Sequence, residues 1–375
     1  MISPVFVILS CPFPRGLRLS FQIMKFVLTS LLLLAGIFGV AFVRAEDTPA
    51  NALLVLAKHD NTLAIVDPSS LKVLSRIPVG NDPHEVIASA DGKTAYVSNY
   101  GFGAYHTLAV VDLMAPRALP SIDLGALRGP HGLAFAGGKV WFTAEAAKAI
   151  GSYDPATKSV DWILGTGQNR THMIYVSPDT KLIVTSNVNS GTVSIIEKTI
   201  GSQAGQTGHL EADWNETVVP VGKGVEGFDV SPDGKEIWAA NAGDGTVSVI
   251  DVASKHVTQT LAADVSGANR LKFTLDGKLA LISMLRGAYL TVIDVGTKKT
   301  IKQIAVGHGA AGIIMQPGGV RAFVACTPDN FVAVVDLHSL EVVGRIQAGQ
   351  SPDGLAWVMR RADQSRIATT IPNSK

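Results

Sequence analysis

Residues 225–252 alternate apolar and polar positions in three short bursts separated by turn residues. The first burst, ending at Ser231, leads into Pro232, Asp233 and Gly234, where proline fixes one φ angle and glycine accepts a left-handed one. The second, 236–240, runs back beside the first. Asp244 and Gly245 then turn the chain into a third, 246–251, in which Val247, Val249 and Ile250 are interleaved with Thr246 and Ser248. A three-strand meander cannot bury both of its faces alone, so the pattern predicts further copies stacked against it.

The copies are present. Taking the second residue of each first strand, they begin at His84, His131, His172, Glu226, Arg270, Ala311 and Asp353, with spacings of 47, 41, 54, 44, 41 and 42 residues. A period in the forties with several strands per copy predicts an all-β fold, a seven-bladed β-propeller of four-stranded blades. Residues 51–80 supply three strands with no first strand before them, and 352–358 supply a first strand with no complete set after it. The two fragments are expected to pair, the C-terminal strand joining the N-terminal blade, so that no sheet edge is left free. The propeller is expected over residues 46–358, followed by a C-terminal tail, 359–375. The longest spacing is assigned to residues 198–215, read as an exposed loop between the third and fourth strands of blade 4.

Composition changes this picture little. With 47% apolar and 17% charged residues and a net charge of +1, the chain is enough for one large domain or two ordinary ones and offers no electrostatic reason to bind nucleic acid. Residues 1–45 are a different matter. Met24 and Lys25 precede an uncharged apolar run, 26–43, that ends at Val43, Arg44 and Ala45. This reads as a signal peptide with translation starting at Met24 and cleavage before Glu46. An uncleaved anchor is the alternative, but Gly36 and Gly39 favour cleavage. The expected product is a periplasmic or secreted monomer with no membrane segment. Cys326 is its sole cysteine, without a disulfide partner, and is expected to be a small buried hydrophobe.

Candidate chemistry comes from the place where the copies differ. In a propeller the first strands line the central channel, so their starts form a ring at one mouth. Imidazoles and a carboxylate converging there suit a divalent ion such as Zn, Fe, Mn or Cu, with His84, His131, His172 and Glu226 as ligands. Such an ion activates water or polarises a carbonyl. Arg270 and Asp353 across the mouth are expected to hold an anionic substrate. Loops between second and third strands add Asn99, Tyr100 and His106 as substrate contacts, although Asn99, Asn187 and Asn241 recur at one blade position, the mark of turn capping. Glu85 should point away from the axis by strand alternation. A plainer reading stays open beside this one: polar strand starts satisfy neighbouring loops, and water fills the mouth.

Tyr96, Val97, Ser98 and Asn99, together with Ser231, Pro232, Asp233, Gly234 and Lys235, resemble the YVTN-type (YncE-like) β-propeller family across nearly the whole mature chain. The resemblance implies the fold and leaves the function open, because that scaffold serves many roles. Residues 129–135 and 140–145, with Ile150 and Gly151, resemble one blade of the streptogramin lyase family, which opens a lactone by elimination with His and Glu around a divalent metal. Carried over, this makes His131 a metal ligand and Glu145 a candidate general base, although Ala144 is inserted before the glutamate and the other blades do not follow the motif. Peptide-amidating lyases and YVTN-like lactonases are further analogues. No Gly-rich phosphate loop, Ser-His-Asp order or haem-attachment motif is present. The expectation is an exported propeller that binds a small molecule at the channel mouth as a metal-dependent lyase or hydrolase of lactone- or ester-type substrates. Its rival is a non-catalytic scaffold for a protein, peptide or nucleic-acid partner.

Overall fold

The computed structural model describes residues 49–200 and 212–360. The expected start at Met24, the signal peptide and the tail beyond residue 360 lie outside them. The described chain forms seven four-stranded antiparallel sheets, whose inner strands meet one another in a closed ring. This is a seven-bladed β-propeller. Each blade runs outward from strand a at the axis to strand d at the rim. Strand a of blade 1 is Pro352–Met359, one residue longer than expected, and it pairs with Asn51–Ala57 so that Leu53 faces Trp357 and Leu54 faces Ala356. The ring is therefore closed by joining the two ends of the chain. Among the described residues no helix is long and apolar enough to cross a membrane.

Hydrophobic patterning follows position in the blade. Strand b packs against the neighbouring blades on both faces, so it is a continuous apolar run: Ile237, Trp238, Ala239 and Ala240 have no exposed surface. Strand d faces the rim and alternates, as Ser159–Gly165 does between exposed and half-buried positions. Between blades 1 and 2, Leu54, Leu56, Val86 and Val97 share one core, each large side chain contributing about 1.5–3 kcal/mol by its burial.

In four blades the turn from strand a to strand b repeats one set of bonds. Ser231 Oγ donates to Asp233 Oδ1 at 2.7 Å and accepts from Glu236 N at 2.9 Å, and Gly234 takes φ 73°. Ser89, Ser177 and Thr274 make the same bond to the aspartate two residues on. One expectation fails. The two ends of 198–215 are strand, not loop: Thr192–Ile200 pairs with Ala212–Pro220, with Lys198 opposite Trp214, and 201–211 lie outside the described residues. Trp214 reaches back to blade 3, its ring 5.0 Å from Trp162 and 6.4 Å from Trp141, so the longer hairpin is stabilised by an aromatic cluster.

Every strand a carries a β-bulge just after its first residue. Pro83 faces Asn99 and Val86 faces Val97, so His84 and Glu85 together stand opposite Ser98, and the other six inner strands do likewise. In four blades a hydroxyl on strand b secures the bulge. Thr143 Oγ1 accepts from Gly132 N and donates to His172 O in the next blade, both at 2.9 Å. Ser98, Ser186 and Ser283 link His131, Glu226 and Ala311 in the same way.

Candidate ligand site at the channel mouth

The bulge decides which side chains meet. The residue after each strand's first forms the mouth ring: His84, His131, His172, Glu226, Asn269, Ala311 and Asp353. Arg270, expected on this ring, is one place too far along. Ala268 pairs with Met284 as Pro83 pairs with Asn99, so Asn269 holds the ring position and Arg270 holds the next. Glu85 holds that next place in blade 2. The extra residue breaks strict alternation, and Glu85 turns inward, against expectation, to pair with Arg270 from the far side of the channel. Four of the equivalent places are glycine, for want of room: a Cβ on Gly132 would lie 2.6 Å from the His172 carbonyl oxygen. Arg270 is 6% exposed. Burial disfavours its charge, but Glu85, Asp353 and Glu226 together raise its pKa.

Above this pair lies a cavity of about 380 Å³. The rings of His84, His131 and His172 follow one another round its wall, with centroids 4.9 and 3.8 Å apart. His84 Nε2 meets Asp82 Oδ1 at 3.1 Å, and its Nδ1 is 3.6 Å from Asp353 Oδ2, which Lys58 Nζ also approaches at 3.2 Å. His172 Nδ1 bonds Glu145 Oε1, while Glu145 Oε2 accepts from the Tyr100 hydroxyl at 2.6 Å. His172 Nε2 is 3.1 Å from Glu226 Oε1 but out of line for a hydrogen bond. That nitrogen, His131 Nδ1 and Asn269 Oδ1 are all buried without a partner. A buried polar atom left unpaired costs about 1–3 kcal/mol, and three in one cavity point to a ligand, an ion or ordered water. Among the described residues no three His, Cys, Asp or Glu side chains stand ready-grouped for a metal.

The titratable groups are driven apart. Burial pushes His131 well below the ordinary histidine range, and the neighbouring His172 and His84 push it further. Burial acts on His172 too, but the carboxylates of Glu145 and Glu226 beside its ring outweigh that and raise its pKa. For Glu226, burial works upward, yet His172, Arg270 and Arg170 bring it down to about 2. Burial and the Glu145 carboxylate raise the Tyr100 hydroxyl above its usual value.

Of the residues expected at the site, His84, His131, His172, Glu226 and Asp353 meet in the cavity wall with Tyr100, and Glu145 stands directly behind His172. Arg270 forms the floor. Asn99 is elsewhere: its amide donates to Val79 O at 2.9 Å and Asn81 O at 3.0 Å, capping the incoming loop. His106 is also outside, half-buried at the surface and bonded to Asp123 at 2.7 Å. Lys58, Asp82, Arg170 and Asn269 were not anticipated. Arg170 lies 3.8 Å from Glu145 and 3.6 Å from Glu226. A signal for two of them existed. Two residues before each ring position the backbone is left-handed in all seven blades, and the residue is glycine in four. Asp82 and Arg170 accept that conformation at a cost of about 1 kcal/mol or more, and each touches the mouth.

No family model matches the chain, and no curated protein matches it in sequence. Solved structures do match. A functionally unknown protein from Desulfotomaculum acetoxidans superposes with a TM-score of 0.67 at 15% identity, covering 83% of this chain and 99% of that one. A candidate 6-phosphogluconolactonase from Bacteroides fragilis gives 0.66 at 17% identity, with the same coverages. Hydrazine synthase from Kuenenia stuttgartiensis gives 0.58 at 18%, covering 73% and 89%. The likeness is one of fold. The histidine wall, the Glu85–Arg270 floor and the bare nitrogens have to be interpreted on their own chemistry.

Proposed function

We propose that the channel mouth binds a small anionic lactone or ester and, with a divalent metal ion, opens it by hydrolysis or elimination. The observation that carries this reading is the pair of buried nitrogens without a hydrogen bond, His131 Nδ1 and His172 Nε2, the second of them 3.1 Å from the Glu226 carboxylate. Together with His84 they are the donors that would hold the ion. Asp82 behind His84 and Glu145 behind His172 fix those rings, as carboxylates commonly do behind metal-bound histidines. A bound ion would supply a polarised carbonyl or an acidic water. Both Glu145 oxygens are engaged, so Glu145 fits a positioning role better than that of a general base. Arg270 is committed to Glu85, which leaves the more accessible Lys58 and Arg170 to meet the anionic group of the substrate. Lactone chemistry is also the chemistry named for the Bacteroides neighbour, at an identity that carries the fold alone. An address outside the cytoplasm belongs to this reading through residues 24–45.

The test is metal analysis after reconstitution with Zn²⁺, Mn²⁺ or Fe²⁺. Wild type should retain close to one ion per chain, and His131→Ala and Glu226→Gln should lose most of it. A wild type that stays metal-free would end the metal reading and leave the mouth as a binding site on a non-catalytic scaffold.

A further inference from the structure

Six of the seven loops between strands b and c have four residues; the one in blade 2, residues 100–106, has seven. The insertion forms a short turn, Gly101–Gly103, with Phe102 at its tip. Phe102 is 87% exposed, yet it lines the same cavity as the histidines and Arg170. Its backbone is left-handed at φ 51°, ψ 38°, a conformation that costs a residue with a Cβ about 1–2 kcal/mol. The loop is held in place. Gly101 N donates to Asp82 Oδ2 at 2.9 Å, Gly103 N to Tyr100 O at 3.1 Å, and Gly129 N of the next blade to Tyr105 O at 2.7 Å. Gly101 cannot be replaced cheaply, since a Cβ there would lie 2.5 Å from the Tyr105 ring. The Phe102 ring has one aromatic neighbour, Tyr100 at 5.9 Å, and is otherwise held in water over a polar cavity, a small return for a pinned and strained insertion. Leu285, 45% exposed, faces the cavity from blade 6 on the other side.

We propose that Phe102 is a specificity-determining contact, and that the ligand joins a flat apolar group, aryl or acyl, to an anionic one. The anionic group meets Arg170 and Lys58 inside the mouth, and the apolar group lies under Phe102 with Leu285 opposite. A cavity of about 380 Å³ suits a small molecule of this kind. A purely hydrophilic substrate, such as a phosphorylated sugar acid, would leave the Phe102 ring in water and make the insertion pointless. This inference rests on the mouth being a ligand site, and it does not depend on the metal.

The probe is 2-naphthoate, an anion with a flat apolar ring, titrated calorimetrically into the full chain and compared with acetate and with 2-naphthalenemethanol. Wild type should bind naphthoate more tightly than either control. Phe102→Ala should weaken naphthoate about tenfold, the loss expected for one aromatic contact. It should leave acetate unchanged, and Phe102→Tyr should restore most of the affinity. Because Phe102 is exposed, the fold is not at risk in these variants. Equal naphthoate affinity in wild type and Phe102→Ala overturns the proposal, as does a wild type that does not prefer naphthoate to acetate. The second result would favour a hydrophilic ligand, or a macromolecular partner seated on Phe102. Metal content separates the two readings. If His131→Ala keeps its ion while Phe102→Ala loses naphthoate, the metal reading falls and this one stands. If His131→Ala loses the ion while naphthoate ignores Phe102, the reverse holds.

Discussion

The two ends of the inner strands carry opposite kinds of sequence. At the lower end, Ser89, Ser177, Ser231 and Thr274 all bond an aspartate two residues on, and the turns are interchangeable. At the upper end, the ring reads His84, His131, His172, Glu226, Asn269, Ala311 and Asp353, and the charged residues cluster on blades 1 to 5. A lower turn has only its own backbone to satisfy, and one solution serves four of the blades. An upper end faces a lumen in which side chains from several blades meet, so its identity is set by what stands across the channel. Repetition marks scaffold, and its failure marks the site.

The most severe way to break this contrast is to unpair the floor. Arg270→Ala would leave the half-buried Glu85 without its partner, a loss of about 3 kcal/mol. Denaturant unfolding should show a loss of that size. Replacing both residues together, as Arg270→Met with Glu85→Leu, should recover most of it. A single variant as stable as wild type would mean that Glu85 has another partner or reaches water.

A milder pair of substitutions compares the ends directly. Thr143→Val keeps the shape of a fully buried side chain but strands Gly132 N–H and His172 O, so it should cost about 2 kcal/mol. Because it frees the His172 backbone, it should also weaken naphthoate binding. Ser231→Ala removes two bonds from a lower turn and should cost about 1 kcal/mol, with naphthoate affinity unchanged. Equal functional effects from the two would show that the mouth is not held by its hydroxyl latches.

The sequence makes the scaffold plain because each blade repeats the same physical demand: an apolar strand b, a capped turn, an alternating rim. It also makes the histidine wall visible, since three imidazoles at one repeat position are conspicuous. What it hides follows from the bulge. A bulge is one extra residue in every copy, so it leaves the period untouched while it rotates the side chains after it. Strict alternation therefore turns Glu85 outward, while Arg270 falls on the ring only when strand a of blade 6 is started at Asn269 instead of Ala268. The extended hairpin of blade 4 is hidden for a different reason: Trp214 packs on Trp141 and Trp162 of another blade, a contact that no local pattern announces. Asp82 and Arg170 were legible in principle, as polar residues where the repeat has glycine.

Cys326 gives the finest comparison, because it occupies the strand-b position where Asn99, Asn187 and Asn241 stand in other blades. Those asparagines bond to loops and hydroxyls. Cys326 is fully buried, its Sγ 3.6 Å from Val306 O, and a Cβ on Gly307 would come within 3.0 Å of the sulfur. Burial, reinforced by nearby Asp329, pushes the thiol up to about 12. At pH 8 the thiolate, the reactive form, is then scarce, and the sulfur is covered as well. A disulfide reagent should therefore leave Cys326 untouched over hours in the native protein and modify it at once in denaturant. Raising the pH to 9 multiplies the thiolate about tenfold but does not uncover the sulfur, so native labelling should stay slow. Rapid native labelling at pH 8 would mean that the mouth of blade 7 opens on that timescale, and that the polar half of the ring is the more firmly held of the two.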